Sequence, residues 1–316
     1  MPKKETTSSA QVLTPVISRA ARALEEELGK PLGAGLYLVS TPIGNLVDIS
    51  LRALGVLARA DLIFCEDTRH SRKLLGHYGL TGELQAYHEH NAARTRPRIL
   101  ARIRDGQSVA LISDAGTPLI SDPGHKLVRD VQDAGYSVEA VPGASAVLTA
   151  LTSSGLPTDR FFFEGFLPPK REARRKRLEA LRDIPCTLVF YESPQRLAEM
   201  LRDASEVLGV REAAVAKELT KLHENVLRAN LAELADEAPL KMGSRGEFVV
   251  LAGPPAPSHV SDDDIRARLK GAFREASFRD GVQDVSDMLD VSRKRVYKIA
   301  LELKSEAAGE DGEDAE

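Results

Sequence analysis

From Leu36 onward the chain alternates short β-type runs with helical patterns, and no other feature narrows its fold as much. Strand-like runs fall at Leu36–Ser40, Asp61–Cys65, Leu84–His88, Ser108–Ser113 and Ser137–Val141, with helical patterns near 49–60, 68–77, 91–104, 124–134 and 144–154. Strands separated by helices make βαβ units, so this stretch predicts a largely parallel sheet. Gly155-Leu156-Pro157 interrupts the pattern. A second block follows, with strands near Phe161–Phe166, Thr187–Tyr191, Ala213–Leu219, Glu224–Ala229 and Glu247–Ala252 and helices near 170–182, 194–207 and 230–238. Some of these strands adjoin without a helix between them, which predicts a mixed sheet. Pro254-Pro255-Ala256-Pro257 reads as a semi-rigid linker, 261–304 as helical and the acidic end from Glu306 as disordered. Val16–Leu28 has the pattern of a short amphipathic helix in an otherwise flexible start. The expected organisation is an extension at 1–33, α/β domains at 34–156 and 157–254, a helical domain at 260–304 and a tail at 305–316.

Composition excludes several classes. The chain has 316 residues, 42% of them hydrophobic, enough for more than one core. No run of 18 apolar residues suggests a membrane span, and residues 1–30 lack a signal-peptide core. Cys65 and Cys186 have no metal-ligand spacing around them. A reducing cytosol with both thiols buried is the expectation. The net charge of −4 rules out a uniformly basic nucleic-acid binder, so any RNA contact must come from local patches.

Three strand–loop–helix junctions carry the chemistry. The first is Ser40-Thr-Pro-Ile-Gly-Asn-Leu-Val-Asp48, which matches neither the dinucleotide nor the P-loop glycine pattern. The second, Asp114-Ala-Gly-Thr-Pro-Leu-Ile-Ser-Asp-Pro-Gly124, packs two Gly, two Pro and two Asp into eleven residues after a buried strand. The third is Val141-Pro-Gly-Ala-Ser-Ala146. Parallel strands gather such junctions at their carboxyl ends, where open α/β sheets bind ligands.

These segments, with Glu66-Asp-Thr-Arg-His70, Gly165-Phe-Leu-Pro168 and Tyr191-Glu-Ser193, resemble the ribosomal RNA small subunit methyltransferase I family of the tetrapyrrole-methylase superfamily. The resemblance runs from about Leu36 to Gly253 in the same order. It implies an α/β fold of two domains with S-adenosyl-L-methionine in the cleft between them, and a small helical C-terminal domain. It also implies a homodimer and 2′-O-methylation of a cytidine in the decoding region of 16S rRNA; the cysteine usage places it in the cytoplasm, and between naked rRNA and the assembled 30S ribosomal subunit the need for shape recognition favours the subunit. Carried over by position, cofactor contacts fall on Pro42, Gly116, Thr117, Pro118, Leu119, Ile120, Ser145, Ala146, Tyr191, Leu219 and Ala252. Members that modify tetrapyrroles usually carry a glycine-rich loop after the first strand; Thr41-Pro-Ile-Gly-Asn45 stands here and favours the RNA branch. Where the family often has an acid after His90-Asn91, this chain has Ala92.

Methyl transfer from a sulfonium is an in-line displacement on an activated carbon and calls for no metal. It needs alignment of oxygen, carbon and sulfur, together with a base or polarising cation near the hydroxyl. Residues of suitable type near the expected cleft are Glu66, Asp67, Arg69, His90, Lys217 and Glu218. The Glu66–Arg69 segment also reads as a helix cap with a surface arginine. His88 and His90 share a strand face but lack a third metal ligand.

For RNA, six cations crowd Lys170, Arg171, Arg174, Arg175, Lys176 and Arg177, a run that also suits a solvated helix face. Val282–Leu289, a turn at Asp290–Ser292 and a basic helix from Arg293, Lys294, Arg295 to Lys298 resemble a helix-turn-helix. A small docking bundle fits the same pattern. Two other readings remain open from sequence: a methyltransferase acting on a corrin-like small molecule, and a non-catalytic RNA-binding assembly factor.

Overall fold

A computed structural model describes residues 9–243, 246–256, 261–274, 276–289 and 291–313. The chain divides into two compact units, Met1–Pro255 and Ala256–Glu316.

The first unit begins with helix α1 (Ser9–Leu28), which starts earlier than the Val16 expected and runs through Pro15. Its end is tied down rather than flexible. Arg59 pairs with Glu27 at 3.3 Å and donates to the Lys30 carbonyl. Then come β1 (Gly35–Val39), α2 (Leu51–Arg59), β2 (Leu62–Cys65), α3 (Thr68–His77), β3 (Leu84–Ala86), α4 (Glu89–Arg104), β4 (Ser108–Ile112), α5 (His125–Asp133), β5 (Ser137–Val141) and α6 (Ala146–Ser154). The five strands form one sheet in the order β3-β2-β4-β1-β5, with every pairing parallel. β2 and β4 are buried at each position, as their apolar text, unbroken in β2 and after Ser108 in β4, requires of central strands. β5 is an edge strand and leaves Ser137, Glu139 and Ala140 exposed. β3 stops at Ala86 rather than His88, because the His88 amide donates to Asn91 Oδ1 and so begins the turn into α4. His88 and His90 therefore do not share a strand face. The Cys65 thiol is buried as expected, and Cys186 is only partly so.

The second sheet holds β6 (Phe161–Phe166), β7 (Thr187–Glu192), β8 (Glu212–Lys217), β9 (Asn225–Asn230) and β10 (Phe248–Ala252), with α7 (Arg171–Leu181), α8 (Leu197–Leu208) and α9 (Leu231–Met242) between them. The order is β6-β7-β10-β8-β9; β6–β7 is parallel and the other pairings antiparallel, a mixed sheet. Period-two alternation divides its faces. Leu188, Phe190, Val215 and Val250 pack with Leu178, Met200, Leu201 and Leu234 of α7, α8 and α9. Val189, Ala214, Ala216, Val249 and Leu251 pack with Val147, Ala150 and Leu151 of α6 and with Ile43 from the loop after β1. This second apolar layer fixes the two sheets against each other and defines the cleft between them.

The second unit contains α10 (Asp262–Ala272), α11 (Phe278–Leu289) and α12 (Arg293–Glu313) around Ile265, Leu269, Val282, Val285, Val296 and Ile299. Ser261 opens α10 with a reciprocal cap to Asp264. The α11–α12 turn is closed by the Ser286 hydroxyl, which donates to the Val291 carbonyl at 2.7 Å. α12 continues to Glu313, so the tail expected to be disordered from 305 is helical through that residue. No helix among the described residues is long and apolar enough to cross a membrane.

Candidate active site

The loops after β1, β4 and β5 are laced together at the carboxyl edge of the first sheet. Thr41 and Gly116 exchange backbone hydrogen bonds of 2.9 and 3.0 Å. Ser40 Oγ donates to Thr117 Oγ1 at 3.2 Å, and Thr117 Oγ1 donates to the Ala144 carbonyl at 3.4 Å. Ser113 Oγ is shared between the Ala115 and Gly116 carbonyls, both at 3.1 Å. Gly116 takes a φ of +80°, which a side chain would resist. Leu119 and Ser121 also sit at positive φ, 75° and 64°. Backbone strain of this kind, about 1–3 kcal/mol per residue, persists where the surroundings over-determine it.

Facing these loops is the edge of the second sheet made by the ends of β6 and β7 and the start of β10. The space between is a cavity of about 390 Å³, within the range of small-molecule sites. Its apolar wall comes from Ile43, Ile120, Phe166, Tyr191, Leu219 and Val249. Phe163 and Phe166 hold the Tyr191 ring at centroid distances of 5.0 and 5.6 Å. The polar wall carries Asp114, Asp122, Glu192 and Glu247, with no lysine or arginine among the described residues. Burial, with the charges of Asp122 and Glu247, pushes the Tyr191 hydroxyl up to about 12. Burial also raises the Glu192 carboxyl despite the Ser193 amide and Arg196. Glu192 Oε2 has no hydrogen-bond partner, although Arg196 Nη2 is 3.3 Å away. Asp122 is pushed up to about 6, first by burial and then by the charge of Glu66, against the pull of the Ser113 hydroxyl.

An acidic, partly aromatic cavity suits a ligand that pairs a flat apolar ring with positive charge. It is unsuited to a polyphosphate, which would face four like charges.

Among the expected cofactor residues, Gly116, Thr117, Ile120, Ser145, Ala146, Tyr191 and Leu219 line this cavity. Pro42 does not; it is buried beside Ile43, which does. Pro118 lines a smaller adjoining hollow, and Leu119 packs into the core cluster of Phe64, Leu111 and Leu127. Ala252 is misplaced by the positional carry-over. It lies four residues beyond Phe248, about 13 Å along a strand, on the face covered by α7–α9.

None of the six expected catalytic residues lines the main cavity. Glu66 borders the hollow. Asp67 caps α3, accepting from the Arg69 amide at 2.8 Å, and holds the Arg69 guanidinium at 3.2 Å. His90 is exposed on α4. Lys217 is spent on the Met242 carbonyl. Glu218 accepts from Lys221 at 3.0 Å and from the Glu247 amide at 3.2 Å. Asp122 and Glu192, which the sequence reading passed over, are on the wall instead. Asp122 stood within the second junction, whose carboxylates suit orienting a ligand, but was not among the expected catalytic residues.

The basic run on α7 is corrected most sharply. Arg174 is only 1% exposed; its Nε donates to Asp203 Oδ2 at 2.7 Å, and its other nitrogens reach the Pro169 carbonyl and Glu199. Arg171 pairs with Asp203, Arg175 with Glu206, and Arg177 with Glu164 through two bonds of 2.6 Å. The run knits α7 to α8 and β6. In the second unit, Arg293, Lys294 and Lys298 are exposed at the start of α12, while Arg295 pairs with Asp262 at 2.6 Å.

Residues 35–235 match the family model of the Tetrapyrrole (Corrin/Porphyrin) Methylases. A Mesorhizobium japonicum protein named "Ribosomal RNA small subunit methyltransferase I" is 48% identical over 90% of this chain and 97% of its own length. The chain belongs to the ribosomal RNA small subunit methyltransferase I family, within the tetrapyrrole methylases. A Pseudomonas aeruginosa member of the same name is 52% identical over 86% of this chain and 98% of its length. Among solved structures, diphthine synthase superposes with a TM-score of 0.56 at 16% identity, covering 69% of this chain and 89% of that one. A cobalt precorrin-4 methyltransferase gives 0.53 at 19%, covering 69% and 94%. Both share the fold. The expected α/β architecture with a helical C-terminal region is therefore that of this methyltransferase I family.

Proposed function

We propose that this chain transfers a methyl group from S-adenosyl-L-methionine to the 2′-hydroxyl of a cytidine ribose in the decoding region of 16S rRNA, acting on the small ribosomal subunit as a cytoplasmic homodimer. The observation that carries this reading is near-full-length identity of about half to proteins named for methylating small-subunit ribosomal RNA. The cavity's composition supports the cofactor. Ile43, Ile120, Leu219 and Tyr191 offer apolar surface to an adenosine, and Asp114 and Glu247 offer negative charge to cationic groups. The bound cofactor supplies a methyl group made electrophilic by its sulfonium.

The chain's own residues orient and shield the reactants. The laced loops hold the wall rigid, and alignment of this kind contributes about 7–11 kcal/mol in favourable cases. With Arg174 buried and Arg171, Arg175 and Arg177 paired, only Lys170 and Lys176 of the α7 run stay exposed without an ion pair among the described residues, and other cations add to the RNA surface. Arg72 and Lys73 on α3 and Arg94 and Arg98 on α4 are exposed, and both helices start at the carboxyl edges of β2 and β3, the cleft side of the first sheet. Exposed cations of α12 add a second basic surface. Both suit the backbone of folded RNA, whose narrow A-form groove is closed to side chains.

The reading is tested by offering tritiated cofactor with three acceptors: 30S subunits lacking their own modification, protein-free 16S rRNA, and a corrin-like macrocycle. Label on the 30S particle supports the proposal. Label on the macrocycle alone, or binding of RNA without transfer, would replace it with a small-molecule methyltransferase or an assembly factor.

A further inference from the structure

Asp122 is the one described residue that borders both the main cavity and the smaller hollow beside it. The hollow is walled by Glu66, Tyr87, Ser113 and Pro118. Asp122 thus stands between the space that suits the cofactor and a second hollow of about 10 Å³, room for roughly one water.

Its backbone is unusually constrained. Leu119 and Ser121 precede it at positive φ, Pro123 follows, and Gly124 adopts a φ of 151°. A Cβ at Gly124 would lie 3.0 Å from Leu119 Cδ1 and 3.3 Å from Leu111 Cδ2. Loops of ordinary linkers do not hold a carboxylate this firmly; strain of this sort concentrates at functional sites.

Among the described residues, the groups that act on Asp122 are Glu66 from the β2–α3 loop, Asp114 from its own loop, Ser113 at the end of β4 and Tyr191 from β7, and none of these is a cation. A structural carboxylate would be expected to have a partner like the one Asp203 has in Arg174.

We infer that Asp122 is the general base of the methyl transfer, taking the proton of the ribose 2′-hydroxyl, and that Glu66 is a positioning residue that sets its proton affinity from the hollow. This rests on the function proposed above. As the hydroxyl oxygen bonds the methyl carbon, the carbon–sulfur bond breaks and leaves its electron pair on sulfur, cancelling the positive charge. The hydroxyl proton moves to an Asp122 carboxylate oxygen and from there to water. A carboxylate that titrates near 6 is matched to this task, because it is ionised at neutral pH yet basic enough to accept the proton.

The test combines carbon-13 carboxyl NMR of the cofactor-free protein, calorimetric cofactor binding and pH–rate profiles of methyl transfer to 30S subunits. Wild-type Asp122 titrates near 6, and transfer rises along a limb with that midpoint. Asp122→Asn keeps the cofactor dissociation constant within about threefold, loses about 10²–10⁴-fold in kcat and loses the limb. Glu66→Gln moves both the NMR titration and the limb to lower pH, which a merely structural Glu66 would not do. An Asp122→Asn rate within tenfold of wild type, or a limb unmoved by Glu66→Gln, overturns the assignment while the function stands. Should Asp122→Asn fail to fold, the wild-type titration and the Glu66→Gln limb still decide the matter. A wild type that binds cofactor but methylates no RNA overturns the function itself, and the assignment with it.

Discussion

Replacing Arg174 with alanine should destabilise the second sheet's helical layer rather than weaken RNA binding. The substitution deletes a 2.7 Å bond to Asp203, the bond to the Pro169 carbonyl and the 3.3 Å contact with Glu199. Asp203 is 2% exposed. Burial alone would raise its carboxyl, yet Arg174 and Arg171 hold it below the usual range. Without Arg174 it keeps only the outer partners Arg171 and Arg175, at 3.0 and 3.5 Å. Breaking one side of a buried pair typically costs about 3–5 kcal/mol. In a unit of this size that lowers the melting temperature by on the order of 10 °C. Replacing the pair together, as Arg174→Met with Asp203→Leu, should restore most of the loss, because neither charge is then stranded. Scanning calorimetry of the three proteins, with RNA affinity measured across a salt series, checks both halves. A melting point within about 2 °C of wild type, joined to a shallower salt slope, would refute the burial argument and return Arg174 to the RNA surface.

Other consequences follow from the same geometry. Thr117→Trp or Ser145→Trp fills the cavity and should abolish cofactor binding without unfolding the protein; unchanged calorimetric affinity would move the site elsewhere. The raised Asp122 carboxyl binds its proton more tightly in the folded than in the unfolded chain, so its contribution falls as pH rises from 3.8 to about 6. At 1.36 kcal/mol per pH unit the loss is about 3 kcal/mol. Asp122→Asn should therefore be more stable than wild type at pH 8 but not at pH 4, and parallel urea-midpoint curves across that range would contradict the cause assigned. Replacing Arg293, Lys294 and Lys298 with alanine should reduce the slope of log affinity against log salt by about 2 while leaving cofactor affinity alone; an unchanged slope removes α12 from the RNA surface.

The alternation of periods from Leu36 was enough to read both sheets, since β2, β10 and, after Ser108, β4 are apolar runs whose only stable place is a sheet interior. The junctions after β1, β4 and β5 were legible as the binding edge because a parallel sheet leaves its loops no other place to gather. What sequence could not supply was side-chain direction. Arg174 and Arg177 read as RNA contacts or a solvated face because their acidic partners, Asp203 and Glu164, come from α8 and β6 and meet them only in the fold. Lys217 looked catalytic until the end of α9 was seen to offer it the Met242 carbonyl. Ala252 was carried over by position, whereas period-two alternation puts it on the α7–α9 face. Asp122 differs: sequence marked its junction as a ligand site, but only the meeting of two hollows at this residue separates it from Asp114.

The most direct test is to identify the atom that receives the methyl group. 30S subunits lacking their own modification would be incubated with the protein and S-adenosyl-L-methionine carrying a carbon-13 methyl, and their 16S rRNA digested to nucleosides for mass spectrometry. The account predicts the isotope in a cytidine whose ribose, not its base, carries the added mass. A label on a base, or on no nucleoside despite measurable cofactor binding, would contradict it.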